Sequence, residues 1–205
     1  MVIDTKDMLG SILSSIARID YIKPEDIPNI DLYMDQVTTF MEEQLATTKR
    51  HDDDKVLTKT MINNYAKNNL LPPPVKKKYS KEHVLVMIFI YYFKNILSIK
   101  DIETLLAPIT ESYFHNGRDF DITSIYKEVC ELEKSRIDAL QKDVAKAYHQ
   151  AMDSFGTADI GEGDRDYLKL FSFIASLSFD VYVKKLLIEK LINELPEPSH
   201  EKKKK

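Results

Sequence analysis

Three consecutive prolines, Pro72-Pro73-Pro74, divide two helical patterns and force the chain to turn between them. Upstream, Thr58 is a good N-cap for a helix over 59–68. Ile62, Tyr65 and Ala66 fall on its inward side, and Leu70-Leu71 continue the core past its end. Asn69 stands where a helix terminus needs a residue that tolerates positive φ. Downstream, Ser80 with His83 forms an imperfect capping box for a helix over about 81–96, which is apolar nearly all round and therefore central. Tyr91, Tyr92 and Phe93 read as core packing rather than a base-stacking platform. Ser98 then caps a further helix, packed through Ile99, Ile102, Leu105 and Leu106, that should end at Pro108.

The same stretch gathers the chain's positive charge. Between Lys55 and Lys81 stand seven lysines and no acid, a local +7 in a chain of net −4, which leaves −11 for everything else. Such a footprint suits nucleic acid, because neutralised phosphates release counterions. The outward face of the 59–68 helix is Lys59, Thr60, Asn63, Asn64 and Lys67, where an asparagine can pair bidentately with adenine and a lysine can hold phosphate. Lys76, Lys77, Lys78 and Tyr79, framed by the prolines, suit a small wing along the phosphate backbone. The plainer alternative is a wet helix face beside a solvated loop.

Few glycines, 43% apolar residues, 30% charged ones and no alternating strand pattern predict an all-α chain. Residues 5–19 place Met8, Leu9, Ile12, Leu13, Ile16 and Ile19 at helical spacing behind Thr5 as N-cap. A second helix opens across Ile30–Val37 and buries Val37, Phe40, Met41 and Leu45. Asp52-Asp53-Asp54 read as a solvated loop rather than a metal site. From Ile122 to Met152 one helix of about 30 residues, roughly 45 Å long, pairs either with a symmetry mate or within the chain. Tyr167–Leu195 is apolar on more than one stripe and should be covered on several sides, and Gly156–Gly163 reads as a hinge. The divisions are an N-terminal helix over 1–28, a helix-turn-helix domain over 29–108, a helical region for dimerisation or effector binding over 109–196, and a disordered charged tail over 197–205. A lone Cys130 and no signal peptide point to the cytoplasm, and no stretch is apolar enough for a membrane.

The order of these features resembles the N-terminal DNA-binding domain of MerR-type regulators, which has a helix, a recognition helix ending in G-L-L-P, a wing closing on tyrosine, and two more helices. Thr58 stands for the cap, Ile62 for the buried leucine, Tyr65 for the second tyrosine, Lys67 for the arginine and Leu70-Leu71-Pro72 for the exit. Tyr79-Ser80 stands for the wing's end and Leu97–Ile102 for the last helix. Asn63 and Asn64 replace that family's Arg-Tyr pair, and the wing is shorter. The wording of Leu32–Val37, Met61–Tyr65 and Lys77–Tyr79 is similar to the bacterial family DUF1836. The resemblance implies a MerR-like winged helix-turn-helix.

His51, His83, His115, His149 and His200 are scattered, with neither a nucleophile elbow nor a metal-ligand spacing, so no enzyme, metal or cofactor is expected. The expectation is a sequence-specific DNA-binding transcriptional regulator that acts on double-stranded DNA as a homodimer. Lys59, Thr60, Asn63, Asn64, Lys67, Lys76, Lys77, Lys78 and Tyr79 form its site. The alternative is an all-α protein-interaction module, and a small-molecule effector is left open.

Overall fold

The computed structural model describes residues 5–17 and 21–196 and is mostly helical, with one small sheet. The charged tail and the side chains of Met8, Ile16 and Ile19 lie outside that description, as does any cap before Thr5. The chain forms two compact units, one of residues 22–128 with the end of the last helix, the other of 1–21 with 129–187.

In the first unit, β1 (Leu32–Tyr33) leads directly into α2 (Met34–Gln44), where Tyr33 N–H donates to Gln36 Oε1 at 2.8 Å. α3 (Lys59–Lys67), β2 (Lys78–Tyr79), α4 (Lys81–Phe93), α5 (Ile99–Tyr113) and α6 (Ile122–Lys134) follow. α4 is the core: every residue from His83 to Ile90 is buried. Burying each such apolar side chain contributes about 1.5–3 kcal/mol. β2 pairs antiparallel with β1, Leu32 opposite Tyr79 and Tyr33 opposite Lys78. Two residues are too few to show an alternation, so neither strand was visible in the sequence.

The N-terminus of α4 carries a buried histidine that folding keeps neutral. His83 is 1% exposed. Its Nδ1 accepts from Ser80 N–H at 3.0 Å, the second half of the capping box, and its Nε2 lies 3.3 Å from the Pro73 carbonyl. An acceptor at Nδ1 fixes the proton on Nε2. The ring sits edge-on to Tyr79 and Phe114, and burial pushes the imidazole down to about 4.

Two helix boundaries differ from expectation. α5 does not stop at Pro108 but carries it inside the helix as far as Tyr113. The missing N–H costs about 3 kcal/mol in a helix interior, which the fully buried Ile102 and Leu106 on the same helix offset. Nor is 122–152 one helix. α6 ends at Lys134 and α7 (Ile137–Met152) starts afresh. Between them Ser135 Oγ donates to the Leu132 carbonyl at 2.6 Å and Arg136 N–H to Glu133 at 3.0 Å, so local bonds replace the helical ladder. Val129, Leu132 and Leu140, counted as one apolar seam, are 40–58% exposed.

The second unit packs α7 against α1 (Thr5–Ala17) and α8 (Glu162–Asn193). Val144, Tyr148 and Ala151 of α7 bury against Phe173 of α8, with Leu9, Ile12 and Leu13 of α1 around them. Tyr148 and Phe173 meet edge-to-face at 5.5 Å, and Gln141 Nε2 donates to the Leu13 carbonyl at 3.0 Å. α7 therefore pairs within its own chain.

A histidine whose folded pKa is depressed contributes stability that is present above its unfolded value and lost as pH falls through the folded one. The stability of the wild-type chain should thus decline between pH 6.5 and about 4. His83→Gln keeps an acceptor for Ser80 N–H without the titration, and should remove about 3 kcal/mol of that decline in urea midpoints measured across the range. Parallel profiles for the two proteins would contradict the assignment.

Candidate nucleic-acid interface

α2 is the shared support of the site, since it lies against α3 and against both strands. Val37 and Met41 bury its inner face completely. Glu42, near its end, ties down the long connection to α3: Oε2 accepts from Val56 N–H at 3.2 Å and Oε1 takes the Lys49 ammonium. The Lys49 hydrogen bond holds the Glu42 carboxyl below the usual glutamate range. From the other side, Lys94 Nζ donates to the Val56 carbonyl at 3.0 Å. In the aspartate run, Asp54 Oδ2 accepts from the N–H groups of Arg50 (3.2 Å) and His51 (3.0 Å). The run folds its own loop, and among the described residues no cluster is suited to hold a metal ion.

α3 starts where expected. Thr58 Oγ1 accepts from Met61 N–H at 3.2 Å, while Ile62 and Tyr65 fill the core. Its end is a Schellman motif: Leu70 N–H reaches the Tyr65 carbonyl at 2.9 Å and Asn69 N–H the Ala66 carbonyl at 3.3 Å, with Asn69 at φ 56°. Lys59, Thr60, Asn63, Asn64 and Lys67 are all exposed along one helix. Two of these are qualified by their surroundings. Lys59 is ion-paired with Asp35 in the first turn of α2, and Lys67 lies in the last turn, where the helix dipole favours a cation.

The lysine turn is tighter than the sequence suggested. Val75 and Lys78 exchange both backbone hydrogen bonds, at 3.1 and 2.9 Å, so the loop between them is only Lys76-Lys77. Both are left-handed, at φ 50° and 65°. That pair of angles belongs to a type I′ turn, which Asn-Gly fills without strain and two lysines fill at about 1–2 kcal/mol per residue. Both side chains are exposed at the tip. Lys78 is half-buried, its ammonium 5.1 Å from the centre of the cross-strand Tyr33 ring. Tyr79 is not on this surface at all. It is 3% exposed and anchors the strand from inside, because the pleat turns it to the core when Lys78 faces out.

Sequence reasoning missed Asp35 and Tyr33, whose roles follow from the packing of α2 on α3 and from the β1–β2 register rather than from local pattern. A polar hollow of about 260 Å³ near the start of α4 was also missed. There Ser80, Glu82 and His115 meet, His115 Nδ1 being paired with Glu82 and Nε2 lying 3.4 Å from Ser80 Oγ. The shorter contact of that hydroxyl is to His83 Nδ1 at 2.8 Å, which makes it part of the α4 cap.

The sequence model of a family described as a domain of unknown function, DUF1836, matches residues 22–129, and the chain belongs to that family. No curated protein and no solved structure matches it. The matched residues coincide with the unit that holds α2, α3 and the lysine turn.

Replacing the strained tip with the residues its angles favour, as Lys76→Asn with Lys77→Gly, should raise stability by about 1 kcal/mol, read as a higher urea midpoint at unchanged slope. A loss of stability would contradict the left-handed turn.

Proposed function

We propose that this DUF1836 protein is a sequence-specific DNA-binding regulator of the winged helix-turn-helix kind, MerR-like in layout. α3 enters the groove and the Lys76-Lys77 tip lies on the adjoining backbone. The observation that carries the reading is the turn itself. Two adjacent lysines held left-handed at a two-residue tip are a cost to folding, and a phosphate backbone is a ligand that recovers it.

The division of labour follows from chemistry. Lys67, Lys76 and Lys77 are exposed cations for phosphate, and Thr60 can donate a hydroxyl to the same backbone. Asn63 and Asn64 offer amides for base edges, with adenine N6 and N7 the fitting partners. Lys59 acts through Asp35, which must yield its ammonium before it reaches a phosphate. β1 preceding α2 and pairing with the strand after the turn supports a wing continuous with the helix pair.

Fluorescence anisotropy on a duplex selected from a random pool tests this. The logarithm of the binding constant should fall linearly with that of salt, and Lys76→Asn with Lys77→Gly should lower the slope by about 1.8, at roughly 0.9 per phosphate. Asn63→Ala with Asn64→Ala should leave that slope unchanged and narrow the gap between selected and random duplexes by about 10-fold or more. No binding to any duplex, or a slope indifferent to the tip, would overturn the proposal. Binding to an acidic protein in its place would favour an interaction module.

A further inference from the structure

We propose that α8 is a self-association helix, on which a second copy of this chain lays its own α8 antiparallel. α8 runs 32 residues, about 48 Å at 1.5 Å per residue. Phe173 and Leu177 turn one face into the core with α1 and α7. The opposite face carries Phe171, Ala175, Ser178, Phe179 and Tyr182 around an apolar hollow of about 630 Å³. From Ser178 to Leu187 every residue is exposed, with Phe179 at 68% and Val181 at 60%. The apolar residues of α8 occupy more than one side of the helix, and a monomer in water seldom shows so large an apolar patch. No described helix is long and apolar enough to cross a membrane.

Area and charge both select a second copy. Tyr167, Phe171, Phe179 and Tyr182 are each more than half exposed on the side of Ala175, and the exposed Val183 and Leu186 flank them. With 150–250 Å² for each full aromatic side chain, this face offers on the order of 800 Å², which is the share a standard interface takes from each partner. Residues 162–166 carry a net −2 and residues 184–190 a net +2. The acids suit the helix's own dipole, but Lys185 lies more than two turns before Asn193, beyond that dipole's reach. On the side of Ala175 stand Asp164 near one end and Lys185 and Lys190 near the other, and an antiparallel pair sets each Asp164 between the partner's Lys185 and Lys190. The twofold axis this requires passes beside Ala175, the smallest side chain of the hollow and the place where two helices approach closest. A twofold contact needs such a self-complementary surface.

Sedimentation equilibrium on the full chain, from 1 to about 100 μM, tests the proposal without DNA and so separately from the regulatory reading. Wild type is expected to be a dimer. Phe179→Glu with Tyr182→Glu should give a monomer of unchanged circular dichroism. Asp164→Lys, and Lys185→Glu with Lys190→Glu, should each weaken association about 10-fold or more, and an equimolar mixture of those two variants should restore it. A parallel pair would leave each charge variant no weaker than wild type, which contradicts the arrangement. Wild type that stays monomeric at about 100 μM would overturn the proposal, as would a monomer that instead floats with anionic phospholipid vesicles or a dimer indifferent to every substitution.

Discussion

The outward chemistry of residues 22–128 depends on one short antiparallel pairing, Leu32 with Tyr79 and Tyr33 with Lys78. It fixes which way the second strand faces. Tyr79 goes to the core against His83, Lys78 goes out over Tyr33, and the two residues before them are left as a tight tip. A slip by one residue would bury a lysine and expose a tyrosine. His83 reinforces the register from below, because its capping bond to Ser80 starts α4 one residue after the strand ends.

Strain and support are divided in that arrangement. The left-handed angles at Lys76 and Lys77 oppose folding, while the buried run of α4 and the fully buried Val37 and Met41 of α2 supply the stabilisation that offsets them. Glu42, Lys49 and Lys94 hold the connection between α2 and α3, so the polar face of α3 is presented by a frame and not by a loose loop. The acidic remainder of the chain also has a local part to play. Asp35 sits on Lys59, while Lys67, Lys76 and Lys77 are exposed at the end of α3 and at the tip.

Much of α3 was legible because its signals are local. A threonine cap, apolar residues at Ile62 and Tyr65, and an asparagine ahead of three prolines specify start, inner face and end within a few residues. The tip was not, since Lys-Lys carries none of the glycine or asparagine that marks a type I′ turn, and its partner strand lies more than 40 residues upstream. Pro108 misled because a proline's cost is local whereas the burial that outweighs it is tertiary. The break at Ser135-Arg136 was hidden by an apolar spacing that runs through it, although Val129, Leu132 and Leu140 are exposed. α8 departs furthest: its apolar residues predicted cover on several sides, and every residue from Ser178 to Leu187 is exposed.

The central claim is that α3 and the lysine tip meet one ligand together. The most direct measurement is a titration of the isotope-labelled full chain with a selected duplex, following backbone amide shifts residue by residue. The account predicts that the largest changes fall on Thr60, Asn63, Asn64, Lys67, Lys76 and Lys77 with one shared midpoint. Changes centred elsewhere, or midpoints for α3 and the tip that differ, would contradict it.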